Sequence, residues 1–202
     1  MPIECKADLR EFYGEPSERA RRKQLPKLDA HCRSIIAHSP FLVLSSAGAD
    51  GRSDASPRGD APGFVAVLDD HSLLIPDRPG NNRVDSLSNI MENPHVGLLF
   101  LVPGMNEMLR VNGRARIVTD RERLEGLSAQ GKAPRSGLLV EVEEAYLHCG
   151  KALIRANLWD PATHIDRSSL PSLGKMLADQ IGGLDVEQTE RALEENYRTK
   201  LY

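Results

Sequence analysis

The chain has 202 residues, 40% hydrophobic and 27% charged, with a formal net charge of −3. That length and apolar content predict a single soluble domain with terminal additions. The near-neutral charge excludes the basic footprint of a nucleic-acid binder, and apolar runs such as 96–102 are too short to cross a bilayer.

The segment Met1-Pro2-Ile3-Glu4-Cys5-Lys6 has no apolar signal region, so the expected location is the cytoplasm. Cys5, Cys32 and Cys149 are odd in number and widely spaced, which does not make a disulfide framework. His31–Cys32 and His148–Cys149 are adjacent pairs. A zinc site needs about four converging ligands, and neighbours on a strand face opposite ways, so buried thiols are expected and no metal site.

The first 40 residues read as helical. Ser17 is a good N-cap before a charged segment that Pro26 interrupts. Leu28, Cys32, Ile35 and Ile36 then fall at helical spacing, with Asp29 at the favourable end and Pro40 as the stop. Strands follow. Phe41 to Ser46 is the first, Asp50-Gly51 is a hairpin turn, and Arg52 to Pro57 returns. Gly63 to Leu68 and Ser72 to Pro76 flank a turn at 69–71. A short helix is expected over Arg83 to Glu92. His95 to Val102, Glu107 to Val118 and Gly137 to His148 are further strands, with a helix over Arg121 to Ser128 between the last two.

The remaining residues are helical again. Cys149 to Asn157 begins a helix, and Leu158-Trp159-Asp160-Pro161 breaks it with the only tryptophan. Leu170 to Ile181 is a helix stopped by Gly182-Gly183. Asp185 and Gln188 form a capping box for the last helix, whose apolar stripe is Val186, Leu193, Tyr197 and Leu201. The tight hairpins leave no room for helical crossovers. The fold class is therefore mainly β with flanking helices (α+β), built on a small antiparallel barrel. Residues 1–40 form a helical segment, 41–150 the barrel, and 151–202 a helical extension packed on the barrel or on a partner subunit. No GxGxxG or GxxxxGK[ST] pattern is present, which argues against a dinucleotide fold or a P-loop.

Two stretches carry chemistry: Asp54-Ala55-Ser56-Pro57-Arg58-Gly59-Asp60 and Pro76-Asp77-Arg78-Pro79-Gly80-Asn81-Asn82-Arg83. Each is a turn-rich, arginine-bearing segment at a strand end, and the second runs into a helix. Helix-start N–H groups beside arginines suit a phosphate. Arg58 and Arg83 are the leading phosphate contacts, with Arg78 dependent on where its proline-flanked loop points. Asn81 and Asn82 could cap the helix, and Asn82 could do so while leaving N–H groups free. Pro57 and Pro76 lack N–H donors and belong at strand edges, where a flat ring can approach the backbone. Trp159 reads equally as a packing anchor or a stacking residue. Lys151 and Arg155 share a helical face that needs an anion or solvent. No histidine stands out as an acid or base.

Together with Arg-Val-Asn-Gly-Arg-Ala at 110–115 and Lys-Ala-Leu-Ile-Arg at 151–155 followed by Leu-Trp, these motifs resemble the pyridoxamine 5′-phosphate oxidase-related split barrels, over about residues 30–165. The resemblance implies an FMN-binding antiparallel split β-barrel that is homodimeric, with FMN at the subunit interface. It maps phosphate contacts to Arg58, Arg78, Asn81, Asn82 and Arg83. It lays the flavin ring along Asp54, Ser56 and Pro57 and against Ile75, Pro76 and Asp77. Lys151, Arg155 and Trp159 would come from the other subunit. The implied activity is an FMN-dependent oxidoreductase, with a small-molecule electron donor such as a nicotinamide nucleotide and a small acceptor. The full substrate pattern of the vitamin B6 oxidase is missing. The alternatives are a non-catalytic flavin sensor or store, and a related barrel using a deazaflavin or haem.

Overall fold

The computed structural model describes residues 2–202. Seven strands form one antiparallel sheet in the order β2-β1-β5-β6-β7-β4-β3. They are β1 (Phe41–Ala47), β2 (Ser53–Gly59), β3 (Ala66–Val67), β4 (Ser72–Pro76), β5 (His95–Leu101), β6 (Met108–Val118) and β7 (Gly137–His148). The helices are α1 (Lys6–Tyr13), α2 (Glu18–Arg22), α3 (Ala30–His38), α4 (Asp85–Glu92), α5 (Arg121–Glu125), α6 (Lys151–Ala156), α7 (Leu173–Ile181) and α8 (Val186–Thr199). Antiparallel pairing throughout and flanking helices make this the split-barrel class expected from the sequence.

Alternation builds the barrel interior. Leu42 and Leu44 of β1, Leu98 and Phe100 of β5, Leu109 and Val111 of β6, and Leu138 and Val140 of β7 are all essentially inaccessible. Period-two spacing puts each pair on one face of its strand. Leu73 and Ile75 of β4 join the same cluster as the β1 residues, so the sheet is rolled around one core. Each such side chain contributes about 1.5–3 kcal/mol by leaving water. Leu28, Cys32, Ile35 and Ile36, at the helical spacing read from the sequence, pack on that core too. Asp29 caps α3 by accepting the Cys32 N–H at 2.8 Å. This backbone hydrogen bond holds the Asp29 carboxyl below its usual range. Burial pushes the Cys32 thiol up to about 11, which makes it an inert core residue.

Several element bounds differ from the sequence reading. The stretch 63–68 yields only the two-residue β3, because Gly63 takes a positive φ of 81° and breaks the strand. Helix α5 stops at Glu125 and α7 starts at Leu173, after a single 3-10 turn at Arg167–Ser169. Helices α7 and α8 pack chiefly on each other. Gly174 makes this possible, since a Cβ there would lie 2.4 Å from Glu190 Cγ. Gln188 N–H donates to Asp185 Oδ1 at 2.7 Å, the forward half of the expected capping box. Among the described residues no helix is long and apolar enough to cross a membrane.

Candidate functional site

The site grows out of the edge strand β2. Its burial alternates, with Asp54, Ser56 and Arg58 half-buried and Ser53, Ala55, Pro57 and Gly59 exposed. The inward face of this strand is therefore polar, unlike that of every other long strand in the sheet. β2 pairs with β1 alone, so Pro57 falls on a sheet edge where its missing N–H is tolerated. Pro76 ends β4 opposite Gly137 of β7. β3 reaches only Leu73 and Leu74, so the other side of Pro76 is open.

From Pro76 the chain loops through residues 77–84 into α4. Together β2, this loop and the start of α4 line a half-open cleft of about 480 Å³. Small-molecule sites span about 300–1,000 Å³, so the volume suits one organic ligand. Asp54, Ser56, Pro57, Arg58, Pro76, Asp77, Arg78, Asn81, Asn82 and Arg83 all line it. The two motifs, separated in sequence by the β3–β4 hairpin, thus meet in one place.

Each arginine of the cleft touches a carboxylate through one nitrogen. Arg58 Nη1 donates to Asp77 at 2.7 Å, Arg78 Nε to Asp60 at 2.6 Å, and Arg83 Nε to Asp85 at 2.8 Å. The bond that Arg83 donates to Asp85 holds its guanidinium still more firmly charged. A guanidinium has five N–H donors in a rigid fork. Most of those donors have no protein acceptor among the described residues. Arg58 Nε is the sharpest case, being fully buried without a hydrogen-bond partner. A buried donor in that state calls for an acceptor.

The loop differs from the sequence reading at its end. α4 begins at Asp85, two residues later than expected, and neither asparagine caps it. The N-cap is Val84, held in the left-handed region at φ 53° with no side-chain capping bond. Asn82 is also left-handed at φ 57°. Asn81 instead accepts the Arg83 N–H at 3.0 Å, closing a local turn. A β-branched residue at positive φ costs on the order of 1–3 kcal/mol and clusters at ligand clamps.

Four expected contacts lie outside the cleft. Ile75 is 1% exposed and belongs to the barrel core, since alternation turns it away from the Pro76 side. Lys151 and Arg155 are exposed on α6. Trp159 anchors a turn by donating its indole N–H to Met105 O at 2.9 Å.

Two further residues, Ser86 and Asp60, support side chains of the cleft. Ser86, nearly inaccessible, donates its hydroxyl to Asp54 at 2.7 Å and ties α4 to β2. Asp60 has a 4% exposed side chain behind Arg78. Burial pushes its carboxyl up, but bonds from Tyr202, the Ala61 N–H and Arg78 outweigh this and hold it below its ordinary value. A depressed carboxylate stabilises the fold above its ordinary pKa and loses that contribution as pH falls through the folded value. Asp60→Asn should therefore lower the melting temperature at neutral pH. The gap to the native chain should hold above the ordinary carboxylate value of about 4 and narrow as melts are taken below it, toward the lower folded value.

A polar-faced edge strand, an arginine-rich loop and a strained helix entry thus meet in one cleft on a rolled antiparallel split barrel. The family model described as pyridoxamine 5′-phosphate oxidase matches residues 28–149, more than half of the chain. This chain belongs to that family. Solved structures with similar folds include HupZ of Group A Streptococcus, with a TM-score of 0.47 and 15% identity, covering 59% of this chain and 93% of that one. General Stress Protein 26 of Bacillus anthracis str. Sterne has a TM-score of 0.44 and 17% identity, covering 56% and 88%. An FMN-binding protein of Syntrophomonas wolfei subsp. wolfei has a TM-score of 0.43 and 12% identity, covering 57% and 82%. No curated protein gives a significant match.

Proposed function

We propose that this chain binds FMN in the β2–α4 cleft and acts as an FMN-dependent oxidoreductase on a small molecule. The carrying observation is that Arg58, Arg78 and Arg83 line one cleft, each held by a carboxylate through one nitrogen and each with further N–H donors that have no acceptor among the described residues. A phosphate, with nearly two negative charges at neutral pH, supplies acceptors of the right strength and spacing for a guanidinium fork. Arg58, Arg78 and Arg83 would meet the phosphate with their uncommitted nitrogens, and Asn81 and Asn82 would flank it. Asp54, Ser56, Pro57, Pro76 and Asp77 would border the flavin ring. The partner carboxylates keep the arginines extended and limit net positive charge, so an anion is selected by geometry as much as by field.

Bound FMN would supply the electron-transfer chemistry itself, and the protein would supply position, electrostatics and shielding. This fits the lining of the cleft, which contains no His, Cys, Lys, Met or Tyr. The same composition offers no usual axial ligand for a haem iron. The half-open shape supports a homodimer in which a second copy covers the cleft and brings its own Lys151, Arg155 and Trp159 toward the flavin.

The test is a visible absorption spectrum of protein purified from cells, followed by a mass for any released cofactor. Twin bands of oxidised flavin and the mass of FMN are expected. A colourless protein that also refuses added FMN overturns the reading, and a deazaflavin mass replaces the cofactor. Anaerobic mixing with reduced nicotinamide nucleotides then separates turnover from storage. Rapid bleaching and reoxidation by an acceptor support the oxidoreductase. Stable colour with every donor tried leaves a binding protein.

A further inference from the structure

The α7–α8 hairpin packs chiefly on itself, yet Tyr202, three residues past its end, reaches Asp60 and Arg78 beside the cleft. The Tyr202 hydroxyl donates to Asp60 Oδ1 at 2.7 Å. The same oxygen accepts the Ala61 N–H at 2.7 Å, and Oδ2 accepts Arg78 Nε at 2.6 Å. The Tyr202 ring lies 5.7 Å from the Arg78 guanidinium carbon, within cation–π range. Lys132 Nζ donates to Tyr202 O at 2.8 Å and fixes the backbone.

We propose that Tyr202 is a positioning residue for the anion end of the cleft, acting through Asp60 on Arg78. This rests on the flavin reading above and goes beyond it by assigning a role to a residue 142 positions away from its partner. Asp60 is almost fully inaccessible, so its two oxygens have no water to turn toward. The hydroxyl of Tyr202 fixes one oxygen, which aims the other at Arg78. A guanidinium is planar, so holding Nε on Asp60 while the phenol ring sits beside its central carbon restricts the whole fork. The two terminal nitrogens of Arg78, which have no protein acceptor among the described residues, then present a fixed edge toward the cleft that Arg78 lines. An arginine ordered before binding loses less conformational freedom when the anion arrives.

The ligand class follows from the geometry: a phosphate monoester, recognised through its phosphate and not through the ring attached to it. Flavins offer a direct test, because riboflavin is FMN without the phosphate. Tyr202→Phe keeps the ring and removes only the hydroxyl. FMN affinity, read by flavin fluorescence quenching, should fall about three- to tenfold, the worth of one hydrogen bond. Riboflavin affinity should stay within about twofold of the native chain, well under that effect. Tyr202→Ala should weaken FMN further, since the ring contact goes too. Hydrogen exchange over residues 77–83 in flavin-free protein should rise in both variants.

Equal losses for FMN and riboflavin would mean a merely structural role and would overturn the proposal. Unchanged FMN affinity, or unchanged exchange over 77–83, would overturn it as well. Failure of the flavin reading shows differently, as a native chain that binds no FMN before any substitution is made.

Discussion

Arg58→Met is expected to weaken FMN binding by about ten- to a hundredfold and to leave the barrel folded. The magnitude follows from the hydrogen bonds at stake, since one to a charged group is worth about 1.5–3 kcal/mol. Arg58 sits on the polar face of β2 with a side chain only 17% exposed. A ligand anion would meet it in a low-dielectric pocket where screening is weak. Methionine keeps the length and apolar stem of the side chain, so β2 should stay in register with β1. Asp77 loses its partner but is 27% exposed and can turn to water. The comparison is Arg83→Met. Arg83 is 72% exposed, and its charge is screened by solvent and salt, so its loss should cost several-fold less. Titrating both variants with FMN at two salt concentrations checks the ranking. Equal affinity of Arg58→Met and the native chain would remove Arg58 from the site.

The sequence announced this cleft through an exception to its own pattern. Five of the seven strands, β1 and β4 to β7, carry mainly apolar residues in their buried positions, and the two-residue β3 has no buried position. Asp54, Ser56 and Arg58 occupy the inward positions of β2 at the same period of two. A polar inward face on a strand is affordable only at an edge beside a ligand or water, and Pro57 already marks an edge. What could not be read was long-range or conformational. Asn82 looks like a cap by residue type, but its positive φ takes it out of capping geometry and leaves Val84 at the helix start. The pairings Asp54–Ser86 and Asp60–Tyr202 join residues whose separation in the chain carries no periodic signal. Ile75 lies in the core for a simpler reason: it neighbours Pro76, and neighbours on a strand face opposite sides. The roles proposed for Lys151, Arg155 and Trp159 would need a second subunit; the chain itself places them on its surface and at a turn anchor.

Gly113→Ala is expected to cost about 3 kcal/mol or more, the upper end for forcing atoms into a packed site. In a chain of this size that is a fall of about 6–12 °C in melting temperature. Gly113 lies in β6, next to the one register shift in its pairing with β7. Asn112 faces Glu144, but Gly113 faces Val142, so Glu143 is an extra residue on the β7 side. Bulges of this kind add twist and bend, which a sheet needs to roll around its core. The bend drives the β7 backbone onto Gly113, where a Cβ would lie 2.0 Å from Glu141 O. That oxygen is main chain in one of the longest strands, so it cannot swing aside as a side-chain tip would. Relief would mean flattening the bulge, and a one-residue slip would turn the β6 core residues Val111 and Ala115 outward. It would also pull Asn112 from Glu144, now 2.8 Å apart. Gly80 is the control, because a Cβ there meets nothing within 4 Å and its φ is not positive. Gly80→Ala should melt with the native chain although it lies in the cleft, and Gly113→Ala should melt far below it although it lies across the sheet. Thermal melts of the two variants side by side test this. Equal melting temperatures would mean that the β6–β7 bulge is soft, and that the roll of the barrel is set by core packing alone.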